Sequence, residues 1–240
     1  GQQYKALFTL GTPLAGSQLA HMAIGVTDSV MLGWYSVQAL AAGVLGQMVF
    51  FVIFIVGSGI GNAVMPMVAR AHALNNGIYE LQVTRMGVWL SAAFSVLVFP
   101  FFFFSKELLI LIQQPSILAA DASLYLRIVG FAVFPALVLH VMKSFLSALQ
   151  LTSFVLLATV FSFFLNILLN YILIFGKLGF DEFGLQGSAL ASLIVNIFTA
   201  VLVCLYAASK TREKQLFRKI WCPDKIAMLG IIKLGLPISV

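Results

Sequence analysis

The chain has 240 residues, of which 61% are hydrophobic and only 9% are charged. Soluble domains carry roughly 25% charged residues, so a soluble chain this apolar could not cover its surface. The composition predicts an all-α membrane protein that crosses the bilayer several times.

Apolar runs of about 20 residues mark helices that cross a hydrocarbon core of roughly 30 Å. We predict helix one at Leu7–Leu32, helix two at Ala39–Val64, helix three at Gly87–Phe104, helix four at Tyr125–Leu149, helix five at Ser153–Gly176, helix six at Leu185–Tyr206, and a truncated helix seven from Ile226. Residues 1–209 are then an N-terminal six-helix lobe. Residues 210–225 are a basic cytoplasmic linker, and residues 226–240 begin a C-terminal lobe.

The stretches between these helices are predicted to be loops. The two longest are Ala69–Met86 and Ser105–Leu124, and the second includes an interfacial helical turn at Leu108–Ile112. Gln150–Thr152 is so short that helices four and five should form a tight antiparallel pair. The Phe101–Phe104 run is expected to face lipid.

The basic residues indicate the orientation in the membrane, because Lys and Arg gather on cytoplasmic loops. One side of the predicted bundle has only Lys106, Arg127 and Lys177 of the 14 basic residues. The other side therefore lies in the cytoplasm, together with the N-terminus. The net charge of +6 is explained by topology and contact with membrane lipid, and it does not indicate nucleic-acid binding.

A short motif recurs six helices apart. LGTPL at the start of helix one, which contains Pro13, returns as LGLPI at the start of helix seven, which contains Pro237. An even number of helices per repeat gives two halves of the same orientation. The sequence starts without Met and stops inside an apolar run. We therefore expect the first half of a two-lobe protein with about twelve helices.

Asp28 is the one acid that falls inside a predicted spanning helix. A lone carboxylate in a membrane is costly, and it marks a functional site by default. The alternative is that Asp28 reaches water near the outer headgroups. We favour a proton or cation site, with Gln18 and His21 near the same stripe of helix one and facing a cavity. For His21, a simple hydrogen bond to a neighbour is an equally good interpretation.

Pro13 lacks an N–H group, so helix one can bend there, although a proline near a helix start is also tolerated. The recurrence of this proline in helix seven favours a hinge.

Two other helices carry polar pairs at i, i+4 spacing. Helix five has Asn166 and Asn170, and helix six has Ser188 and Ser192. Hydrogen bonds that hold helices together are the simplest interpretation of each pair. If these faces meet Asp28, however, their oxygens make a site for a hard cation.

Gln47 and Asn62 in helix two are further candidates to line a cavity. The sequence contains no catalytic motif and no His/Asp metal cluster, so we predict no enzyme, no cofactor and no metal other than Na⁺ at Asp28.

Three blocks, VTDSVMLG, MPMVARAHALNNG and NILLNYILIFGKLGFDEFGLQGSALAS, resemble the multidrug and toxic compound extrusion (MATE) family, in its NorM-like bacterial branch. The resemblance runs along essentially the whole chain. It implies a monomeric twelve-helix antiporter of the bacterial inner membrane, with two six-helix lobes. Such a protein expels cationic amphipathic compounds in exchange for H⁺ or Na⁺.

By motif position, Asp28 matches the family's helix-one acid of the N-lobe proton or cation site, and Pro13 matches its helix-one kink. Asn166 matches the first polar residue of the helix-five pair. Asn170 takes the second position, where some members have an acid. The family's helix-six hydroxyl corresponds to Ser188 or Ser192.

Two other functions remain open at this point. A lipid-linked oligosaccharide flippase of the same superfamily would line its cavity with several basic residues, of which the predicted helices hold few. A membrane receptor or scaffold without transport would bind no lipophilic cations and would not respond to pH or Na⁺.

Overall fold

The computed structural model of the chain describes the backbone of residues 2–211 and 224–235, and the side chains of residues 11–13, 15–211 and 224–235. Within these ranges it is helical. The helices are α1 (Gln2–Tyr35), α2 (Val37–Ala73), α3 (Gly77–Phe103), α4 (Ser105–Leu111), α5 (Ser116–Val129), α6 (Val133–Ala148), α7 (Thr152–Phe175), α8 (Gly184–Lys210) and α9 (Lys225–Gly235). A 3₁₀ turn at Gly130–Ala132 joins α5 to α6.

Five stretches of the described residues are long and apolar enough to cross a membrane: α2, α3, α5 together with α6, α7 and α8. The chain is therefore a multi-pass membrane protein. Helix one, predicted as a span, is not among them, because Gln18, His21 and Asp28 lower the mean hydropathy of α1. At 34 residues α1 is nevertheless about 51 Å long, and it packs along α7 and α2 inside the bundle.

The prediction of a loop over Ala69–Met86 is wrong. The described chain turns only at Leu74–Asn76, where Asn75 takes a left-handed conformation with φ 53°. The Asn76 side chain then caps α3 by accepting a hydrogen bond from the Tyr79 N–H at 3.1 Å. Hydropathy marks where a helix leaves the hydrocarbon, whereas capping residues mark where it ends. Both helices therefore continue past the apolar limits used for the prediction.

The loop predicted over Ser105–Leu124 is also largely helical, since it holds α4 and the first half of α5. Asp121 consequently lies within α5, where its Oδ2 accepts a hydrogen bond from Gln38 Nε2 at 2.5 Å. The connection between helices four and five is short, because α6 ends at Ala148 and α7 begins at Thr152. The expected tight antiparallel pair is not found, since α7 packs mainly against α1 and α8, and α6 packs mainly against α2.

Helix four is not one continuous helix. Pro135 has no N–H to bond the carbonyl of residue 131, which breaks the α-helical pattern there. Gly130 lies against the Phe102 ring, and a Cβ at residue 130 would meet Phe102 Cβ at 2.8 Å. Phe102 is therefore buried, which corrects the expectation that all of Phe101–Phe104 faces lipid; the other three phenylalanines are exposed.

α1 and α7 run in the same direction. A Cβ at Gly16 would meet Leu156 Cδ1 at 3.0 Å, and further along the two helices the rings of Tyr35 and Phe175 are 6.4 Å apart. We call the end of the bundle where α1 begins its lower end, and the opposite end its upper end. α8 runs antiparallel to α7. Near the upper end their backbones almost touch, because a Cβ at Gly187 would overlap the Leu173 carbonyl oxygen.

Two large groups of buried apolar side chains fill most of the rest of the bundle. The lower group includes Met86, Val141, Met142, Phe145 and Val203. The upper group includes Phe102, Leu126, Val129, Val133 and Leu137. Close packing holds such helices together in a bilayer, since lipid tails are as apolar as the side chains themselves. A smaller third group joins Met31 and Leu32 of α1 to Ala39 of α2 and Ile174 of α7, and it holds α1 beside α7 next to the polar site.

The start of α9 is held against α3. Asp224 Oδ1 accepts hydrogen bonds from the N–H groups of Ile226 at 2.8 Å and Ala227 at 3.3 Å, as an N-cap does. Asp224 Oδ2 accepts another from Gln82 Nε2 on α3. Further along, α9 packs against α2. Most of the predicted linker, and the repeated proline at residue 237, lie outside the described residues, so the domain boundaries stay predictions.

Candidate cation site around Asp28

Asp28 is buried between three helices, with only 4% of its surface exposed. Its Oδ1 accepts hydrogen bonds from Asn166 Nδ2 at 3.0 Å and from Asn170 Nδ2 at 2.5 Å, both on α7. Its Oδ2 accepts a third from Ser192 Oγ on α8 at 3.1 Å. The carboxylate therefore does not reach water at the outer headgroups, and that alternative interpretation is wrong.

The donors come from one face of α7, as the i, i+4 spacing predicts. Asn166 and Asn170 are fully buried, and Asn170 Nδ2 also lies 3.2 Å from Asn166 Oδ1. An ionised carboxylate can only accept hydrogen bonds, so three surrounding donors suit its charged form. None of the three donors carries a charge of its own. The negative charge of Asp28 is thus solvated by neutral groups and is not cancelled by them.

The structure distinguishes the two serines of helix six. Ser192 bonds Asp28, and its own backbone carbonyl accepts a hydrogen bond from Asn196 Nδ2 at 2.8 Å. Ser188 lies one turn earlier on α8. It is fully buried, and within the described residues its Oγ has no hydrogen-bond partner. Ser188 is therefore near the site without being bonded to Asp28.

Tyr125 is a member of this site that the sequence did not single out. It is 2% exposed, its hydroxyl interacts with Ser192 and Gln47, and its electrostatic environment includes Asp28. Gly46 on α2 makes room for it, because a Cβ there would lie 2.5 Å from Tyr125 Cδ1. A tyrosine in a predicted spanning helix gives little sequence signal, since many such residues lie in the membrane interface.

The other candidate residues lie at different places. Gln47 is half-buried beside Tyr125, and its Nε2 has no partner within the described residues. Asn62 and His21 belong to a separate polar cluster lower in the bundle. Gln18 is exposed on α1. The structure therefore brings Asp28 together with Asn166, Asn170 and Ser192, and leaves Gln18, His21 and Asn62 outside this group.

Pro13 lies inside α1, which continues through it without a break. Its ring is half-buried. The missing N–H leaves the carbonyl one turn earlier without its helical partner, so this is a weak point in an otherwise regular helix. The hinge at Pro13 stays a prediction.

The oxygen atoms of this site fit a proton or a hard monovalent cation. Asp28 offers two carboxylate oxygens, and the buried Asn170 Oδ1 and Ser188 Oγ have no partner within the described residues. Carboxylate, amide and hydroxyl oxygens are the ligands that hard cations such as Na⁺ prefer. The described residues contain no cluster of three or more His, Cys, Asp or Glu side chains suited to a transition metal. Asp28 is the only carboxylate among the groups just described.

The chain is a bundle of membrane-spanning helices around a buried carboxylate, which uncharged side chains hydrogen-bond. These features define a polytopic membrane protein with an ionisable site inside one lobe. Comparison with known proteins identifies the family. The MatE family model matches residues 13–172, and the chain belongs to the MatE family.

Curated relatives match nearly the whole chain. It is 37% identical over 239 residues to the "Probable multidrug resistance protein NorM" of Agrobacterium fabrum, covering 99% of this chain and 51% of the relative. It is 39% identical to the protein of the same name from Rhizobium meliloti, with the same coverage. The chain spans about half the length of the curated relatives it matches.

Solved structures share the fold. A structure described as MATE in the bent conformation superposes with a TM-score of 0.87 at 22% identity, covering 100% of this chain and 53% of that one. A structure described as MATE in the straight conformation gives 0.84 at 22% identity, covering 98% and 52%. The predicted fold, the first half of a two-lobe MATE transporter, is thus confirmed.

Proposed function

We propose that the full-length protein containing this chain is a secondary active antiporter that exports cationic amphipathic drugs in exchange for H⁺ or Na⁺. It acts in the bacterial inner membrane as a monomer, with a cytoplasmic N-terminus. The observation that carries the proposal is the buried carboxylate of Asp28, held by three neutral donors from α7 and α8. The relatives named as multidrug resistance proteins support drugs as the cargo.

The chemistry of the site gives a mechanism. When Asp28 is ionised, the amides of Asn166 and Asn170 donate to it. A protonated Asp28 carries a hydrogen of its own and must find an acceptor. The buried Asn170 Oδ1, which has no hydrogen-bond partner among the residues that the structure describes, becomes that acceptor if the amide rotates. A bound Na⁺ requires the same oxygen as a ligand. With either ion, the Asn170 amide therefore turns its oxygen toward Asp28 in place of its NH₂ group.

This exchange loosens the contact between α1 and α7. Proton or cation binding removes the uncompensated charge that holds Asp28 against its three donors. α1 is then free to bend at Pro13, and the cavity beside it shrinks and releases the drug outward. Because ion binding frees the bend, ion uptake drives drug release.

The test is ethidium efflux by the full-length protein in vesicles, driven separately by a proton gradient and by a sodium gradient. We expect one gradient to drive efflux and Asp28→Asn to abolish it. Asp121→Asn is the matched control, because Asp121 makes a single hydrogen bond on the exposed surface. Coupled efflux by Asp28→Asn at the normal rate would remove Asp28 from the mechanism. The absence of efflux under both gradients would favour a receptor or scaffold.

A further inference from the structure

Arg127 is a basic residue on the outside of the lobe. It lies on α5, within Ser116–Ala148, a stretch long and apolar enough to cross a membrane. Its side chain is exposed, and its Cζ lies over the Phe103 ring of α3, 5.6 Å from the ring centroid. Among the residues that the structure describes, Arg127 forms no ion pair; the pair recorded there joins His72 to Glu80 at the lower end. A permanent cation on a spanning segment therefore lacks a counter-charge in the described part of the chain.

The surface around Arg127 is a seam of aromatic rings between α3 and α5. The ring centroids of Phe99 and Phe103 are 6.0 Å apart, and the Phe131 ring meets the Phe99 ring edge-on at 4.9 Å. Phe103 and Phe131 are each more than half exposed. The start of the second lobe does not cover this seam, because α9 begins at the lower end of α3 and its described part makes no extended contact with α5. An apolar surface in this position faces the hydrocarbon of the membrane.

The depth of Arg127 in the membrane follows from its neighbours. Phe102, next to Phe103, packs against Phe50 of α2 with ring centroids 6.4 Å apart. The middle of α2 (Val37–Ala73) is residue 55, so Phe50 lies five residues, or about 8 Å, above it. Half of the hydrocarbon core measures about 15 Å, so the backbone of Arg127 lies within its upper half. Side chains lean toward the N-terminus of their helix, which is the upper end of α5. The guanidinium group therefore extends toward the upper headgroups.

We propose that Arg127 and Phe103 bind the phosphate of a phospholipid in the upper leaflet, whose acyl chains lie along Phe99 and Phe131. The phosphate supplies the missing negative charge at the depth that the guanidinium group reaches. The planar fork of an arginine donates two parallel hydrogen bonds to phosphate oxygens. The Phe103 ring attracts the cation from the other helix and holds it over the seam. One lipid thus contacts α3 and α5 together, beside the break at Gly130.

The experiment measures binding of dioleoyl phosphatidylglycerol to the full-length protein in detergent by native mass spectrometry. We expect Arg127→Gln to raise the Kd of the tightest-bound lipid about tenfold or more, since a hydrogen bond to a charged group contributes this much. Arg127→Lys keeps the charge without the fork, and its Kd is expected to fall between those two values. Phe103→Leu removes the ring and is expected to raise the Kd about two- to fivefold. Dioleoylglycerol, which has the same chains and no phosphate, is expected to bind the wild-type protein and Arg127→Gln equally.

Lys177→Gln is the matched control, because Lys177 is an exposed cation at the upper end of the bundle, and the Kd should not change. Both residues are exposed, so each variant should unfold at the wild-type temperature when no lipid is added. An unchanged Kd in Arg127→Gln, or an equal rise in Lys177→Gln, would overturn the lipid site. In a parallel arm, glycerophosphoglycerol supplies the headgroup without chains. Competition by this compound at the concentration of the lipid would assign Arg127 to free phosphodiesters and overturn the lipid site. Its failure to compete supports the site.

Discussion

Substitution of Asp28 should separate the loss of its charge from the loss of its hydrogen bonds. In Asp28→Asn, the amide oxygen can still accept from Asn166 and Asn170, and the new NH₂ can donate to Ser192 Oγ. Bonds to a charged acceptor contribute about 1.5–3 kcal/mol each and neutral ones about 0.5–1.5 kcal/mol. The three weaker bonds therefore cost about 3–4 kcal/mol together. Removing a buried charge returns several kcal/mol. The free energy of unfolding should stay within about 2 kcal/mol of the wild-type value.

Asp28→Ala has no such compensation. It removes the acceptor that three buried donors share, at about 1–3 kcal/mol for each hydrogen bond lost. We expect the alanine variant to be at least about 3 kcal/mol less stable than the asparagine variant, although both lack the charge. Unfolding of the full-length protein in mixed micelles with increasing SDS measures the difference.

The control is the same pair of substitutions at Asp121, whose hydrogen bond to Gln38 is exposed. These two variants should agree within about 1 kcal/mol. If Asp28→Ala and Asp28→Asn are equally stable while the Asp121 pair behaves as expected, the three bonds to Asp28 do not hold α1 against α7 and α8.

Three further predictions concern packing and capping. Gly187→Ala should destabilise the protein by about 1–3 kcal/mol, because the new methyl group meets the Leu173 carbonyl and separates α7 from α8. Gly61→Ala should cost a similar amount, since its methyl group displaces the His140 ring. Thermal unfolding measures both losses of stability. Gly25→Ala is the control, because a Cβ at residue 25 would have no atom within 4 Å. Asp224→Ala should cost about 1 kcal/mol and speed amide exchange in the first turn of α9, whereas Asp224→Asn should not.

Two results would contradict these predictions. Unfolding temperatures for Gly187→Ala and Gly61→Ala that equal that of Gly25→Ala would show that the helices are farther apart than described. Equal amide exchange in Asp224→Ala and the wild-type protein would show that another group caps α9.

The sequence was sufficient to predict which helices meet at the polar site. Asn166 and Asn170 lie one turn apart in an apolar helix, and buried amides need partners, so a face carrying both had to meet another polar group. Asp28 was the one acid in a predicted span. Their contact, predicted from these facts and the family resemblance, is confirmed by the geometry. Their role in ion binding stays a prediction.

Other features depend on the relative positions of helices, which periodicity does not encode. Ser188 and Ser192 share a face of α8, and the axial offset between α8 and α1 decides that Ser192 reaches Asp28. Tyr125 joins the site only because Gly46, far away in sequence, leaves room for its ring. The break in helix four could have been inferred from Gly130 and Pro135 together. Pro66 and Pro100, by contrast, lie inside unbroken helices, so proline alone was not a sufficient signal.

The contacts of Asp28 also constrain how the protein is made. Its partners follow it by 138, 142 and 164 residues along the chain. At a synthesis rate of about 5–20 residues per second, α1 leaves the ribosome on the order of ten seconds before Asn166 does. During that interval the acid has none of its three donors. The nascent helix must wait at the translocon or at the membrane surface, or enter the bilayer with Asp28 protonated. Assembly of this lobe is thus expected to finish only when α8 arrives. In ribosome-stalled chains that end before residue 192, a single cysteine introduced into α1 should stay accessible to water-soluble cysteine reagents.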